Sequence, residues 1–168
     1  GSEMCIRDRF RASSFCCVLN NVDKLFDTTS MFFDDDIRFS EKTRKRVKSF
    51  RANLIKDSYS PEEIVEYLMQ LWIGRNETSG CAVNYEIGDE GTHHCHMVLE
   101  SKQSFRFSTL QTLFPTIHAE ITRGTKEEVL AYFEKSGKHE EKAHTIVVPM
   151  RLHGELRACL LYTSDAAD

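Results

Sequence analysis

The 168-residue sequence lacks the features that define several large classes of protein. No apolar run approaches the roughly 20 residues that a membrane-spanning helix needs. Met4 is not followed by the apolar region of a signal peptide. The net charge of −4 excludes a uniformly basic nucleic-acid coat, so any contact with nucleic acid must come from local patches.

The six cysteines include no Cys-x-x-Cys pair. This spacing excludes a zinc knuckle and offers no disulfide framework. Because Cys81 and Cys95 fall in strand patterns, we expect small buried thiols in a reducing compartment. The overall composition, with 40% apolar and 29% charged residues, is ordinary for one globular domain with a hydrophobic core.

The two ends of the chain do not resemble natural protein sequence. Gly1-Ser2 is typical of a tag scar, and residues 4–9 and 159–168 resemble translated sequencing-adapter read-through. We therefore expect a domain at residues 10–150 between tails at 1–9 and 151–168. We also expect the natural chain to continue past one or both ends.

The stretch from Cys81 to Glu100 predicts a β-hairpin, with a turn at Gly88–Gly91. Side chains alternate along a strand. The apolar side chains of both strands therefore share one face, and the polar ones share the other. The predicted apolar face holds Val83, Tyr85, Ile87, Cys95, Met97 and Leu99, and the polar face holds Asn84, Glu86, His94, His96 and Glu100.

Glu86, His94 and His96 are the candidate metal ligands. Two imidazoles and a carboxylate on one face can hold a divalent cation and leave coordination positions open. The alternative is a histidine-rich strand that simply faces water, because short motifs produce false positives. The expected register of Glu86 with the two histidines favours the metal site.

Other patterns place the remaining elements. We expect strands at Ser14–Asn21, Thr116–Thr122 and Thr145–Val148, and a loop or short strand in residues 22–39 around Asp34–Asp36. Capping boxes predict helices that begin after Ser60 and Thr125, and a shorter helix spans residues 108–114 before Pro115. Lys102–Arg106 is expected to form a basic loop. His118 and Glu120 face outward and can join the polar site, although an ordinary solvent face is our interpretation.

Two further segments have both a structural and a functional interpretation. Residues 41–51 contain six cations and predict either a solvated helix face or a surface that follows a DNA backbone. Tyr132 lies on the flank of its predicted helix with Lys135 nearly one turn on. Taken alone, such a tyrosine is typically an anchored aromatic with its hydroxyl in water.

Three motifs occur in one order: Phe15-Cys-Cys-Val-Leu-Asn-Asn21, His94-Cys-His96 and Tyr132-Phe-Glu-Lys135. Together they resemble the endonuclease domain of rolling-circle replication initiators (Rep), in the single-tyrosine class of the HUH endonuclease superfamily. The contexts Ile117–Gly124 and Gly137–Lys142 are also similar to Reps of bacterial plasmids and phages. The resemblance covers roughly residues 12 to 149.

The resemblance implies an α+β fold, ferredoxin- or RRM-like, with an antiparallel sheet of about five strands flanked by helices. It implies Mn²⁺ or Mg²⁺ held by Glu86, His94 and His96, and nucleophilic attack by Tyr132. Lys135 would orient the tyrosine or neutralise the charge of the phosphate. A 5′-phosphotyrosine intermediate and a free 3′-hydroxyl would follow. The expected DNA-contacting residues are Asn20, Lys42, Arg44, Lys45, Arg46, Lys102, Arg106 and Arg123.

The implied partners are single-stranded origin DNA or an origin hairpin and the host replication machinery, with no membrane partner. We expect the protein to act in the bacterial cytoplasm, or in a host nucleus if the gene is viral. We expect the isolated domain to be monomeric. The alternatives are an origin-binding module that does not cut, a relaxase or transposase of the same superfamily, and a hydrolytic metalloenzyme for small phosphoesters.

Overall fold

A computed structural model of the chain describes residues 11–26, 40–76 and 79–156. The expected tails at residues 1–9 and 159–168 and the acidic run Asp34–Asp36 lie outside these residues. No helix in the described ranges is long and apolar enough to cross a membrane.

Five strands and five α-helices form within the described residues. The strands are β1 Arg11–Asn20, β2 Gly80–Ile87, β3 His93–Arg106, β4 His118–Ile121 and β5 Ile146–His153. The helices are α1 Val22–Leu25, α2 Glu41–Ala52, α3 Pro61–Ile73, α4 Phe107–Leu113 and α5 Lys126–Glu134, and a 3₁₀ segment spans Gly137–Thr145.

The strands form one antiparallel sheet in the order β4-β1-β3-β2-β5. The sheet and its flanking helices are the α+β architecture that the sequence predicted. The hairpin of β2 and β3 is also confirmed, because Glu86 pairs with His94 and Val83 pairs with Met97.

The two faces of the sheet have different roles. One face carries most of the hydrophobic core, in which Cys17, Leu19, Tyr85, Met97 and Leu99 are buried together with side chains of α1, α2, α3 and α4. The other face carries a smaller apolar cluster under α5, made of Ala82, Val98, Val129, Phe133 and Leu156. Along the strands, the metal-ligand candidates belong to this second face.

Helix α3 begins with the capping box that the sequence predicted. Ser60 Oγ accepts a hydrogen bond from the backbone N–H of Glu63, and the Glu63 carboxylate accepts one from the N–H of Ser60. Trp72, at the other end of α3, is fully buried, and its indole N–H donates to the carbonyls of Gly80 and Glu100. The helix is therefore fixed across β2 and β3.

Strand β3 is longer than the sequence analysis expected. The prediction of a basic loop at Lys102–Arg106 is wrong, because β3 continues through these residues and pairs Arg106 with Arg11. The cause is Phe105, which is buried with its ring centroid 5.2 Å from that of Phe15 and 5.1 Å from that of Trp72.

Strand β5 also differs from the prediction, since it continues through Pro149 to His153. A proline fits here because β5 is an edge strand of the sheet and the ladder does not need every N–H. The pairing of β5 with β2 is irregular on both sides of Tyr85, which pairs with Val148. Leu156 is buried, so the described fold continues beyond residue 150.

We expected a loop or short strand in residues 22–39, of which the structure describes residues 22–26. Here Val22–Leu25 form a single helical turn, neither loop nor strand. Asn21 adopts a left-handed backbone conformation (φ 55°), which turns the chain out of β1. Val22 and Leu25 then enter the core. As expected, Cys81 and Cys95 are buried thiols, and Cys17 is buried as well, whereas Cys16 is partly exposed.

Candidate metal centre and tyrosine site

Glu86, His94 and His96 meet on one face of the sheet and can hold a metal ion. One ligand atom from each residue lies within 4.8 Å of the others. Glu86 Oε1 is 3.5 Å from His94 Nε2, and Glu86 Oε2 is 3.6 Å from His96 Nε2. The strand register produces this convergence, because His94 lies directly opposite Glu86 and His96 follows two residues later.

The His94 ring is oriented for metal binding by the chain just before it. Its Nδ1 lies 3.2 Å from the carbonyl oxygen of Thr92. Because a carbonyl only accepts hydrogen bonds, Nδ1 donates to Thr92, and Nε2, on the side of Glu86, is the ring nitrogen that can bind a metal ion. A backbone partner of this kind is what metal-binding histidines usually have behind them.

Asn84 is the buried residue that organises the ligands. Its side-chain N–H donates to Glu86 Oε2 at 2.7 Å and to the carbonyl of Phe133 at 3.3 Å. Its Oδ1 accepts from the backbone N–H of His96 at 3.0 Å. Asn84 therefore connects two ligand strands with α5, the helix that carries Tyr132.

The 3₁₀ segment closes the site from the side of the β2–β3 turn. The hydroxyl of Thr145 donates to the Lys142 carbonyl at 2.7 Å and lies 3.3 Å from Glu86 Oε1. Lys142 and His144 contact Asp89 in the turn at 3.0 Å and 2.6 Å. The segment thus spans from the tyrosine helix to the hairpin.

The protonation states at neutral pH suit a divalent cation. Burial raises the pKa of Glu86, but the hydrogen bond from His94, the charge of His96, the hydrogen bond from Asn84 and the charge of Lys135 outweigh burial and lower it to about 2. Burial lowers the pKa of His96 to about 4, and the Glu86 charge offsets only part of this effect. The carboxylate is therefore ionised and His96 neutral, as metal ligands must be.

Tyr132 lies beside this group, on the exposed flank of α5. Its ring centroid is 5.3 Å from that of His96 and 5.1 Å from that of His139, both in edge-to-face geometry. The residue is 39% exposed, so its side chain is partly open to solvent. Thr125 caps the start of α5 by accepting a hydrogen bond from Glu128 N, as predicted, but the second half of the predicted capping box differs, since the Glu128 carboxylate accepts from the Thr125 hydroxyl.

Lys135 ends α5 and connects the tyrosine to the carboxylate. Its ammonium lies 3.8 Å from the centroid of the Tyr132 ring and 3.4 Å from Glu86 Oε2. The side chain is only 6% exposed. Its backbone is left-handed (φ 55°, ψ 47°), a conformation that costs a residue with a Cβ roughly 1–2 kcal/mol. This left-handed conformation places the ammonium under the Tyr132 ring.

The surroundings of Tyr132 do not activate it by themselves. Burial, the Glu86 charge and Cys16 raise the pKa of Tyr132 above its ordinary value near 10. The phenol thus remains protonated at neutral pH. Any use of Tyr132 as a nucleophile must depend on charge stabilisation at the group it attacks.

A cleft with a volume of about 620 Å³ opens next to Tyr132, between α5 and the strands β1 and β4. His118 and Glu120 are exposed on β4, as the sequence analysis expected of a solvent face. They also line this cleft together with His96 and Tyr132. The two interpretations of these residues are therefore compatible.

The expected DNA-contacting residues lie in different regions of the molecule. Asn20 pairs with His94 in the sheet, and Arg123 lines the cleft beside Tyr132, so both are near the site. Lys102 and Arg106 are exposed at the other end of β3. The α2 residues Lys42, Arg44, Lys45 and Arg46 belong to a helix that packs, through Val47 and Phe50, on the opposite face of the sheet.

The sequence analysis assigned no role to Asn84, Thr145 or His139. A signal for Asn84 was present, since it lies two residues before Glu86 on the same strand face. Nothing local indicated Thr145 or His139, because their contacts depend on how the 3₁₀ segment crosses the site.

Comparison of the chain with models of known protein families and with curated proteins found no match.

Proposed function

We propose that this protein is a metal-dependent single-stranded DNA endonuclease and strand-transfer enzyme, a replication initiator of the HUH superfamily. One observation carries the proposal. A carboxylate and two imidazoles whose ligand atoms lie within 4.8 Å are adjacent to a tyrosine on a neighbouring helix, 5.3 Å from the His96 ring. Two of the three motifs that resemble Rep domains supply the His-x-His pair, Tyr132 and Lys135, and Glu86 joins them from β2.

Glu86, His94 and His96 would hold Mn²⁺ or Mg²⁺. The carboxylate suits either ion, and the two imidazoles favour manganese. When bound, the cation would withdraw charge from the non-bridging oxygens of a phosphodiester and make its phosphorus easier to attack. Asn84, Thr145 and the carbonyl of Thr92 keep the three ligands in their present orientation.

Tyr132 would act as the nucleophile. Its phenol oxygen forms a bond to the scissile phosphorus, and the bond from phosphorus to the 3′ oxygen of the preceding nucleotide breaks. The phenol proton is released to water, and the departing 3′ oxygen takes up a proton. The products are a 5′-phosphotyrosine and a free 3′-hydroxyl. Lys135, buried beneath the ring, orients the phenol and offsets the developing negative charge.

The covalent intermediate makes the reaction reversible. A phosphotyrosine ester replaces one phosphodiester bond with another, so little of the bond energy is lost. A 3′-hydroxyl can attack the same phosphorus and restore a DNA strand with release of Tyr132. This property suits initiation and termination of rolling-circle replication, with origin DNA and the host replication proteins as partners in the bacterial cytoplasm.

The first prediction is that Tyr132→Phe abolishes a covalent protein–DNA adduct. Wild-type protein is incubated with Mn²⁺ and a pool of single-stranded oligonucleotides of random sequence, and the adduct is detected on a denaturing gel. The phenylalanine variant retains the ring but has no attacking oxygen. We expect no adduct above background and DNA binding within about fivefold of wild type, since one hydroxyl contributes about 1 kcal/mol or less here.

The same gel separates the alternatives. Adduct formation by Tyr132→Phe would assign the nucleophile to another residue. Binding without adduct by the wild type would favour an origin-binding module that does not cut. Cleavage without adduct would favour a hydrolytic metalloenzyme. Chelation of the metal before the DNA is added should prevent adduct formation, and an adduct that forms without divalent cation would contradict the metal role.

A further inference from the structure

The cleft beside Tyr132 has the size and lining of a ligand site. Its volume of about 620 Å³ is within the range of roughly 300–1,000 Å³ that is usual for small-molecule sites. Its lining includes the apolar residues Val18, Val129 and Phe133. Tyr132 and His96 also line the cleft. A DNA strand whose phosphate reaches Tyr132 therefore places an adjacent nucleotide at the cleft.

Two of the residues that line the cleft are acidic, which is unexpected for a DNA-binding site. Glu120 on β4 and Glu128 on α5 line it, and both side chains are exposed. Carboxylates repel phosphates. A DNA strand at this position therefore has to turn its bases, not its backbone, toward the two glutamates. Arg123 and Lys138 also line the cleft and are exposed, where they can contact the backbone.

The Glu128 carboxylate is held in place by the start of α5. Its Oε1 lies 3.3 Å from the hydroxyl of Thr125, whose oxygen also accepts the hydrogen bond from Glu128 N. A carboxylate oriented by this contact presents acceptors to the cleft and can select among ligands by their donors.

We infer that this cleft holds one unstacked nucleobase next to the bond that is cut, and that Glu120 and Glu128 favour bases with an exocyclic amino group over thymine. This inference rests on the proposed function. An ionised carboxylate only accepts hydrogen bonds, and the amino groups of cytosine, adenine and guanine donate them. Thymine has no amino group, and its single N–H lies between two carbonyls that a carboxylate repels. The imidazole of His118 offers a flat surface on which a base can stack.

The random oligonucleotide pool tests the inference when the cut strands are sequenced on both sides of the cleavage point. With wild-type protein, we expect thymine to be depleted about tenfold at one position within about three nucleotides of the cut, the usual order for one well-placed base contact. Glu120→Gln, Glu128→Gln or the double variant should restore thymine to within about threefold, because an amide can also donate to its carbonyls.

Glu127→Gln is the matched control, since Glu127 is exposed on the same helix and does not line the cleft. It should keep the wild-type depletion of thymine. Adducts with no thymine-depleted position, or with a depletion that survives in the double variant, would overturn the inference and leave the proposed function intact. Absence of any adduct from the wild type would overturn both.

Discussion

Asn84 couples the candidate metal ligands to helix α5, which carries Tyr132. Its amide and carbonyl contact Glu86, His96 and Phe133, which belong to β2, β3 and α5. A residue with no exposed surface and three such contacts cannot be replaced without leaving polar groups unpaired. Its position means that the metal group and the tyrosine helix share one hydrogen-bond network.

We therefore predict that Asn84→Ala weakens Mn²⁺ binding about 10- to 100-fold, the usual cost of losing an orienting partner of a ligand. The free energy of unfolding should fall by about 1–3 kcal/mol, because His96 N and the Phe133 carbonyl lose their partner. Calorimetric titration and urea unfolding measure the two effects. Asn53→Ala, at the exposed end of α2, should change neither. Wild-type affinity in Asn84→Ala would show that Glu86 needs no orientation from this amide.

Lys135 has a backbone conformation that glycine adopts at no steric cost. Two substitutions separate its backbone from its side chain. Lys135→Gly should be more stable than Lys135→Ala by about 1 kcal/mol, although glycine is ordinarily the poorer helix residue. Urea unfolding measures this difference. Both variants should lose adduct formation alike, because both lack the ammonium under Tyr132. Equal stabilities would contradict the left-handed conformation at this residue.

At the level of the element, α5 is the helix on which the site depends. It has only nine residues and carries both Tyr132 and Lys135 near its end. Its N-cap Thr125 and the N-cap Ser60 of α3 make the same hydrogen bond to the third residue of their helices. The two caps thus form a natural matched pair, one on the helix of the site and one on a helix of the opposite face.

Removing either cap should cost about 1 kcal/mol in the free energy of unfolding. We predict that Thr125→Ala also lowers the rate of adduct formation under conditions where the protein is fully folded, because fraying of α5 displaces Tyr132. Ser60→Ala should leave that rate unchanged. The rate is measured with the Mn²⁺ and oligonucleotide assay and the stability by thermal unfolding. An equal loss of rate in both variants would indicate a general effect of stability and not of the helix.

The elements that the sequence predicted well are those with a local signal. The period of two placed Glu86, His94 and His96 on one face, and the caps at Ser60 and Thr125 placed the helices. Strand β3 beyond residue 101 was not predictable in this way. Phe105 keeps it in the sheet only because Phe15 and Trp72, distant in sequence, surround that ring. The role of Thr145 has the same origin, since it reaches Glu86 through the path of the 3₁₀ segment.

At the scale of the whole molecule, the sheet separates two groups of candidate functional residues. The metal group and Tyr132 lie on one face, and the basic helix α2 packs on the other. Lys42, Lys45 and Lys48 are exposed and, at a spacing of three residues, lie along one side of α2. A DNA molecule long enough to pass around the sheet can contact both sides, whereas a short oligonucleotide reaches only one.

Replacing these three lysines with Gln tests whether α2 contacts DNA. For single-stranded DNA, each lost phosphate contact lowers the slope of log K against log salt by about 0.7, so we predict a decrease of up to about 2 for a long strand. Adduct formation with a short oligonucleotide at low salt should not change. Lys56→Gln, which removes an exposed charge next to Glu63, serves as the control. An unchanged slope would assign the basic residues to a solvated helix face.

The two outer strands of the sheet have a consequence for how the protein behaves at high concentration. At one border β4 has only four residues, and at the other β5 contains Pro149 and two departures from regular pairing. Strands of this kind offer a poor template for hydrogen bonding with a second chain. The sheet therefore resists polymerisation through its borders, and a high concentration of the protein should not drive fibre growth.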